Sequence, residues 1–279
     1  MVRYFECLRY FRPIEPTKLF RISFNKFIPT QKGDGRLEKI SDLLGPPENK
    51  STYGRCNFPG ESVFYSSLFI KTAILETKPV KNDFITLTEW HLKPGKSLLG
   101  TCIFHHPDVV SANKESKEAY DGYLLEMEKT DPILAQIVDS ILKFLTEEYI
   151  KPVQKDKPRE YLFSAHFSSV LLKSKSPEGQ RIEAIMYPSV QNKYEVTNIA
   201  IVNSIVLDRF DLISVRATTV IETLYGKPPP ANVGILNVQD LYDPITNFDI
   251  PNNKIIYDNS AEFHKLVQNH IAQQKAKNG

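Results

Sequence analysis

The residue types best suited to chemistry cluster in one stretch, Tyr53-Gly54-Arg55-Cys56-Asn57-Phe58-Pro59-Gly60, followed closely by Val63-Phe64-Tyr65-Ser66-Ser67. Two glycines and a proline around an arginine form a loop in which backbone and guanidinium can approach a ligand closely. Arginine suits a diphosphate, because its planar fork donates to two oxygens at once. Tyr65 offers a flat ring face and a hydroxyl. Glu76 follows eleven positions later, near the end of a predicted helix. Taken singly, each has an ordinary structural role: a loop salt bridge, a core tyrosine, a glutamate on a solvated helix face.

Strands and intervening helices must position these groups. Leu19–Phe24 reads as a first strand, residues 30–52 as loop with one short helix, and Ser62–Tyr65 as a second strand. A helix is predicted from Leu68 to Thr77 and a third strand from Phe84 to Leu92, before a turn at Pro94-Gly95. The clearest helix runs from Pro132 to about Ile150, with Asp131 as N-cap and Pro132 at the first helical position. Ile133, Ile137, Ile141 and Leu145 form a row beside Leu134, Val138 and Leu142, so one face is apolar. That face needs burial against the core or against a second protomer, so a homodimer is one arrangement left open.

A polar linker, Pro152–Pro158, precedes a helix from about Arg159 to Lys173. Strands are then predicted over Glu183–Tyr187, Asn198–Val202 and Leu212–Ile221. In the last of these, Ile213, Val215, Ala217, Thr219 and Ile221 share a face. Lys227-Pro228-Pro229-Pro230 breaks the pattern, and a final helix starts near Asn259, where Asn259 and Glu262 can form a capping box. Strands with helices inserted between them define an α+β class.

Composition narrows the function. The 279 residues are 41% hydrophobic and 24% charged, an ordinary globular balance. A net charge of +2, from 35 basic and 33 acidic residues, argues against a dedicated nucleic-acid binder. Cys7, Cys56 and Cys102 fit neither a disulfide framework nor a zinc site. With no signal-like or membrane-spanning run, the expected location is cytoplasmic, with no membrane partner. His91, His105, His106 and His166 read as structural or solvated.

Taken together, the motifs resemble the RES-domain family. The carriers are Leu19-Phe20-Arg21-Ile22-Ser23, then Gly54-Arg55, Asn57, Gly60, Val63 and Tyr65, then Ala73-Ile74-Leu75-Glu76. Ile185-Met186-Tyr187-Pro188-Ser189-Val190 is similar to that family's Pro-Ser motif at a strand end, and Asn198-Ile199-Ala200 follows as its Asn-led strand does. The resemblance covers roughly residues 18–220. It departs at Cys56, where an aromatic residue is usual, and at residues 106–158, which have no clear counterpart. The implied domain spans 1–223 with a helical insertion at about 106–158. Residues 224–279 form a loop-rich extension packed on the same domain.

The resemblance implies a split β core similar to that of ADP-ribosyltransferases, and destruction of NAD as a toxin paired with an Xre-type antitoxin. NAD is then the substrate, with no cofactor and no metal. Glu76, Arg55, Tyr65 and Ser189 become the catalytic set. Arg21, Arg55, Asn57, Tyr65 and Ser189 become the substrate-binding set. Cleaving the nicotinamide–ribose bond, by water or by phosphate, builds positive charge on the ribose, which a carboxylate at Glu76 stabilises. Two alternatives stay open: transfer of ADP-ribose to a macromolecule, and an inactive interaction module.

Overall fold

The computed structural model describes residues 11–25, 37–104, 106–109, 114–154, 156–176, 178–190, 197–224, 235–240 and 244–257. Cys7, Gly33, Gly35, His105, the Lys227–Pro230 break and the helix expected from Asn259 lie outside them. The strands of the main sheet are β1 (Phe11–Ile14), β2 (Lys18–Phe24), β3 (Val63–Ser67), β4 (Phe84–Leu92), β5 (Leu98–Cys102), β6 (Ala184–Pro188), β7 (Thr197–Val202), β8 (Phe210–Leu224) and β9 (Ile235–Asp240). The helices are α1 (Ile70–Thr77), α2 (Lys114–Thr130), α3 (Pro132–Ile150), α4 (Leu162–Lys173) and α5 (Val206–Arg209). The fold is α+β, as expected. Strands β1 and β5 are too short and irregular in pattern to have been foreseen.

The nine strands are ordered β1-β5-β6-β7-β3-β2-β4-β8-β9. Of the pairings in this sheet, only β5 with β6 is parallel. Parallel neighbours need a long crossover, usually helical, and α2, α3 and α4 lie in this connection. The helical segment without a family counterpart therefore sits within a crossover that the sheet requires.

Helix α3 begins as predicted. Asp131 Oδ1 accepts hydrogen bonds from the Ile133 and Leu134 amides at 3.1 and 3.0 Å. Its buried stripe differs from the predicted row. Ala135, Val138, Leu142, Leu145, Thr146 and Tyr149 are inside, whereas Ile133 is 73% and Ile137 37% exposed. At 3.6 residues per turn, each i→i+4 step drifts about 40° around the helix. A row of such steps winds off the core, while the alternating steps of three and four from Ala135 to Tyr149 stay on it.

Strand β8 also corrects the expected face. Ser214 pairs with Glu89 but Leu212 with Trp90, so Ile213 is an extra, bulged residue. A second irregularity leaves Ile221 unpaired between Val220 and Glu222. Both isoleucines are partly exposed, and Leu212 and Val215 face one core cluster despite their odd spacing.

Each sheet face carries a core, which explains apolar runs such as Ile199-Ala200-Ile201. One face, with Val63, Ile185 and Ala200, is covered by α2, α3 and α4. The other holds Leu19, Phe64, Trp90, Ile199 and Ile201 beneath Ile40, Leu43, Val206 and Ile255. Phe64 and Trp90 meet edge to face at 5.5 Å, a contact worth about 0.5–1.5 kcal/mol beyond burial. In the middle, β2 and β3 pair at one position only, Phe20 with Ser67. The sheet is split there.

Candidate functional site

One row of register crosses four strands at this split. Tyr187 pairs with Asn198, Asn198 with Ser67, and Ser67 with Phe20. Directly opposed residues point to the same face, so Tyr187, Asn198 and Ser67 share the face with Ala200 and Tyr65. Helix α1 follows β3 and packs there through Ala73 against Ile22 and Ile85. It stops at Lys78, whose φ of 45° is left-handed. Glu76, in the last turn, is thereby held over the end of β7.

The Glu76 carboxylate receives two hydrogen bonds on the same oxygen. Ser189 Oγ donates to Oε1 at 2.5 Å, and Asn198 Nδ2 donates to Oε1 at 2.8 Å. The orientation of the asparagine is fixed in turn, since Ser67 Oγ donates to Asn198 Oδ1 at 2.7 Å. Ser67, Asn198 and Ser189 are all buried. Oε2 takes no part in either bond. The chain from 191 to 196, following this serine, lies outside the described residues.

A second cluster forms around the glycine-rich loop. Tyr65 Oη donates to Asn57 Oδ1 at 2.8 Å and accepts from the Cys56 amide at 2.8 Å. Asn57 Nδ2 donates to the carbonyls of Thr52 and Phe58. Gly54 is dictated by this packing: a Cβ there would lie 2.4 Å from Asn57 Oδ1 and 2.7 Å from the Tyr65 hydroxyl. Burial, then Cys56, push the Tyr65 hydroxyl well above its ordinary pKa. The Cys56 thiol is pushed up to about 12 by burial and is inert as a nucleophile.

Arg55 reaches across to the crossover. Its guanidinium donates to the carbonyls of Glu148 (3.3 Å), Tyr149 and Lys151 (3.1 Å) and lies over the Tyr161 ring at 5.0 Å. It therefore caps the C-terminal carbonyls of α3, where a cation is favoured by the helix dipole. Arg21 shares the face of Leu19, opposite Ser67. It lies over the Phe64 ring at 5.3 Å and donates to the Tyr65 carbonyl at 2.7 Å. Burial lowers its pKa to about 10.

Tyr187 pairs with Asn198 and packs in the same core as Cys56 and Tyr65. It is buried, and burial, then Cys56, Tyr65 and Glu76, push its hydroxyl well above the ordinary range, while Arg55 opposes this. The structure thus joins Glu76 to Ser189 and Asn57 to Tyr65, while the Arg55 guanidinium turns away to the end of α3. Arg21 meets the second group through the backbone of Tyr65. The sequence motifs contain Asn198, Ser67 and Tyr187, but sequence reasoning gave none of them a role beside Glu76. Polar residues at the ends of apolar strands were the available signal, because buried polar groups need partners. His166 is exposed, with its ring against Phe58, and His106 is bonded to Asp139 at 3.1 Å. Among the described residues, no three His, Cys, Asp or Glu side chains lie close enough to hold a metal ion, and no helix is long and apolar enough to cross a membrane.

These features define an α+β protein with a split sheet, in which a helix glutamate is held by a serine and an asparagine from the ends of adjacent strands. The RES domain model matches residues 34–220, about two-thirds of the chain. The chain belongs to the RES domain family. Arg55, Tyr65, Glu76 and Ser189 lie inside the matched range and Arg21 lies before it. No curated protein matches the chain.

Proposed function

We propose that the chain is an NAD-consuming enzyme that breaks the nicotinamide–ribose bond, with Glu76 as the charge-stabilising carboxylate. The observation that carries this reading is the two-point hold on Glu76 Oε1 by Ser189 and Asn198. A carboxylate fixed in advance stabilises positive charge developing on the ribose without reorganising. Its other oxygen is the one to face the ribose or orient the nucleophile.

In the reaction the bond from C1′ of the ribose to the nicotinamide nitrogen breaks, and its electron pair leaves with a ring that departs neutral. Water, or a phosphate oxygen, forms the new bond to C1′. With water as nucleophile, the displaced proton passes to solvent. NAD is the substrate, and the residues named need no further cofactor. Tyr65 contributes its ring to the nicotinamide side, while its hydroxyl and Asn57 brace the loop. Arg55 serves the diphosphate only by exchanging the α3 carbonyls for phosphate oxygens, so substrate binding is coupled to the crossover. Family membership supports a role as a cytoplasmic toxin or defence effector restrained by an Xre-type antitoxin. Incubating the purified protein with NAD and separating the products tests the reading. Nicotinamide with ADP-ribose or ADP-ribose phosphate is expected, and NAD left intact by folded protein excludes it.

A further inference from the structure

The geometry points to a second ligand site, for a small phosphate monoester, at the opposite end of β6 from Glu76. A concavity of about 540 Å³ lies there, lined in part by Lys96, Arg181, Glu183 and Arg209. That volume falls within the range of small-molecule sites, about 300–1,000 Å³. Glu183 immediately precedes β6 and Ser189 immediately follows it. Six residues of strand place the two sites about 20 Å apart.

Charge selects the ligand. Glu183 is the one carboxylate among the described residues of the lining, and both its oxygens are occupied. Arg209 Nη2 donates to Oε1 at 2.5 Å, and the Leu99 amide donates to Oε2 at 3.1 Å. The Glu183–Arg209 pair is neutral, which leaves Lys96 and Arg181 uncompensated. Neither has an ion-pair partner among the described residues, and both are exposed.

Each cation is delivered by a constrained turn. Lys96 closes a turn whose Gly95 has a φ of +71°, with its amide bonded to the Lys93 carbonyl at 3.1 Å. Arg181 closes the bridge to Lys175, and its Nε donates to the Leu172 carbonyl at 3.3 Å. The stem is thereby fixed, and the terminal guanidinium nitrogens make no hydrogen bond among the described residues. Two cations on rigid turns match a doubly charged phosphate. The cavity is too large for the anion alone, and Pro13 and Leu99 supply an apolar wall for an organic body. These features select a phosphate monoester over free phosphate.

Calorimetric titration of the full-length protein with ribose 5-phosphate at fixed ionic strength tests the site, with inorganic phosphate as the parallel probe. Saturable binding is expected. In the double variant Lys96→Ala/Arg181→Ala it should weaken at least about tenfold with an unchanged melting temperature, since both side chains are exposed. In Glu76→Gln it should be unchanged. Absence of saturable binding, or binding lost in Glu76→Gln but kept in the double variant, overturns the proposal. Inorganic phosphate binding as tightly as the sugar phosphate overturns its choice of ligand. None of these outcomes depends on whether NAD is cleaved.

Discussion

Ser189 Oγ donates to Glu76 Oε1 across 2.5 Å, although 113 residues separate the two in sequence. One directly follows β6 and the other lies in the last turn of the helix after β3. Their meeting depends on β7, which lies between those strands and contributes Asn198 to the same oxygen.

Asn198→Ala should reduce turnover by about 1–3 kcal/mol of transition-state stabilisation, the cost of leaving a buried partner unsatisfied. Ser67→Ala should follow in the same direction with a smaller loss, since it only orients the amide. Steady-state kinetics with NAD check both. A folded Asn198→Ala protein with full activity would remove the asparagine from the site.

Arg55→Ala should lower stability by about 1.5–3 kcal/mol, because the C-terminal carbonyls of α3 lose a charge-assisted cap. Arg55→Lys should recover only part of this, since lysine keeps the charge but not the fork. Denaturant unfolding of the three proteins measures it. Equal stability for all three would show that the capping contacts contribute nothing.

Glu61 ties the loop before β3 to α4. Burial alone pushes its carboxyl up, but hydrogen bonds from Lys173, Ser169 and the Phe58 amide outweigh this and hold it below the ordinary range. A lowered folded pKa stabilises above the unfolded value of about 4.3 and is lost as pH falls through the folded value. The melting-temperature gap between wild type and Glu61→Gln should be fully open near neutral pH and narrow on acidification below about 4.3. A gap independent of pH would contradict the assignment.

Ile133→Asp should change stability by no more than about 0.5 kcal/mol, because its side chain is 73% exposed. Ile137→Asp should cost more, about 1–2 kcal/mol, because Ile137 is only 37% exposed. Val138→Asp should unfold the protein or cost more than about 4 kcal/mol, because it buries an unpaired charge. Thermal melts of the three variants decide it, and unfolding by Ile133→Asp would contradict the observed face.

Much of this was legible in the residues. Asp131 and Pro132 mark the start of α3, and Phe84–Leu92 is a strand over its whole predicted length. The Glu76 and Ser189 motifs fall on opposite ends of one hydrogen bond. The missing parts are those fixed by tertiary pairing. Ile213 and Ile221 face outward because of two bulges, which period-two reasoning cannot anticipate. The destination of Arg55 lies at the end of a helix more than 90 residues away, inside a connection imposed by the parallel β5–β6 pair. Asn198 shows as a polar residue opening an apolar strand, as in the family's Asn-led strand, but its partner cannot be named without the sheet order.

The most direct test is nicotinamide release from NAD by wild type and by Glu76→Gln, measured side by side with melting temperature and NAD affinity. Wild type should release nicotinamide catalytically. The near-isosteric variant should melt within a few degrees of it, bind NAD comparably, and turn over at least about 10²–10³-fold more slowly. Undiminished turnover in a folded Glu76→Gln protein would contradict the account, and so would intact NAD in the presence of folded wild type.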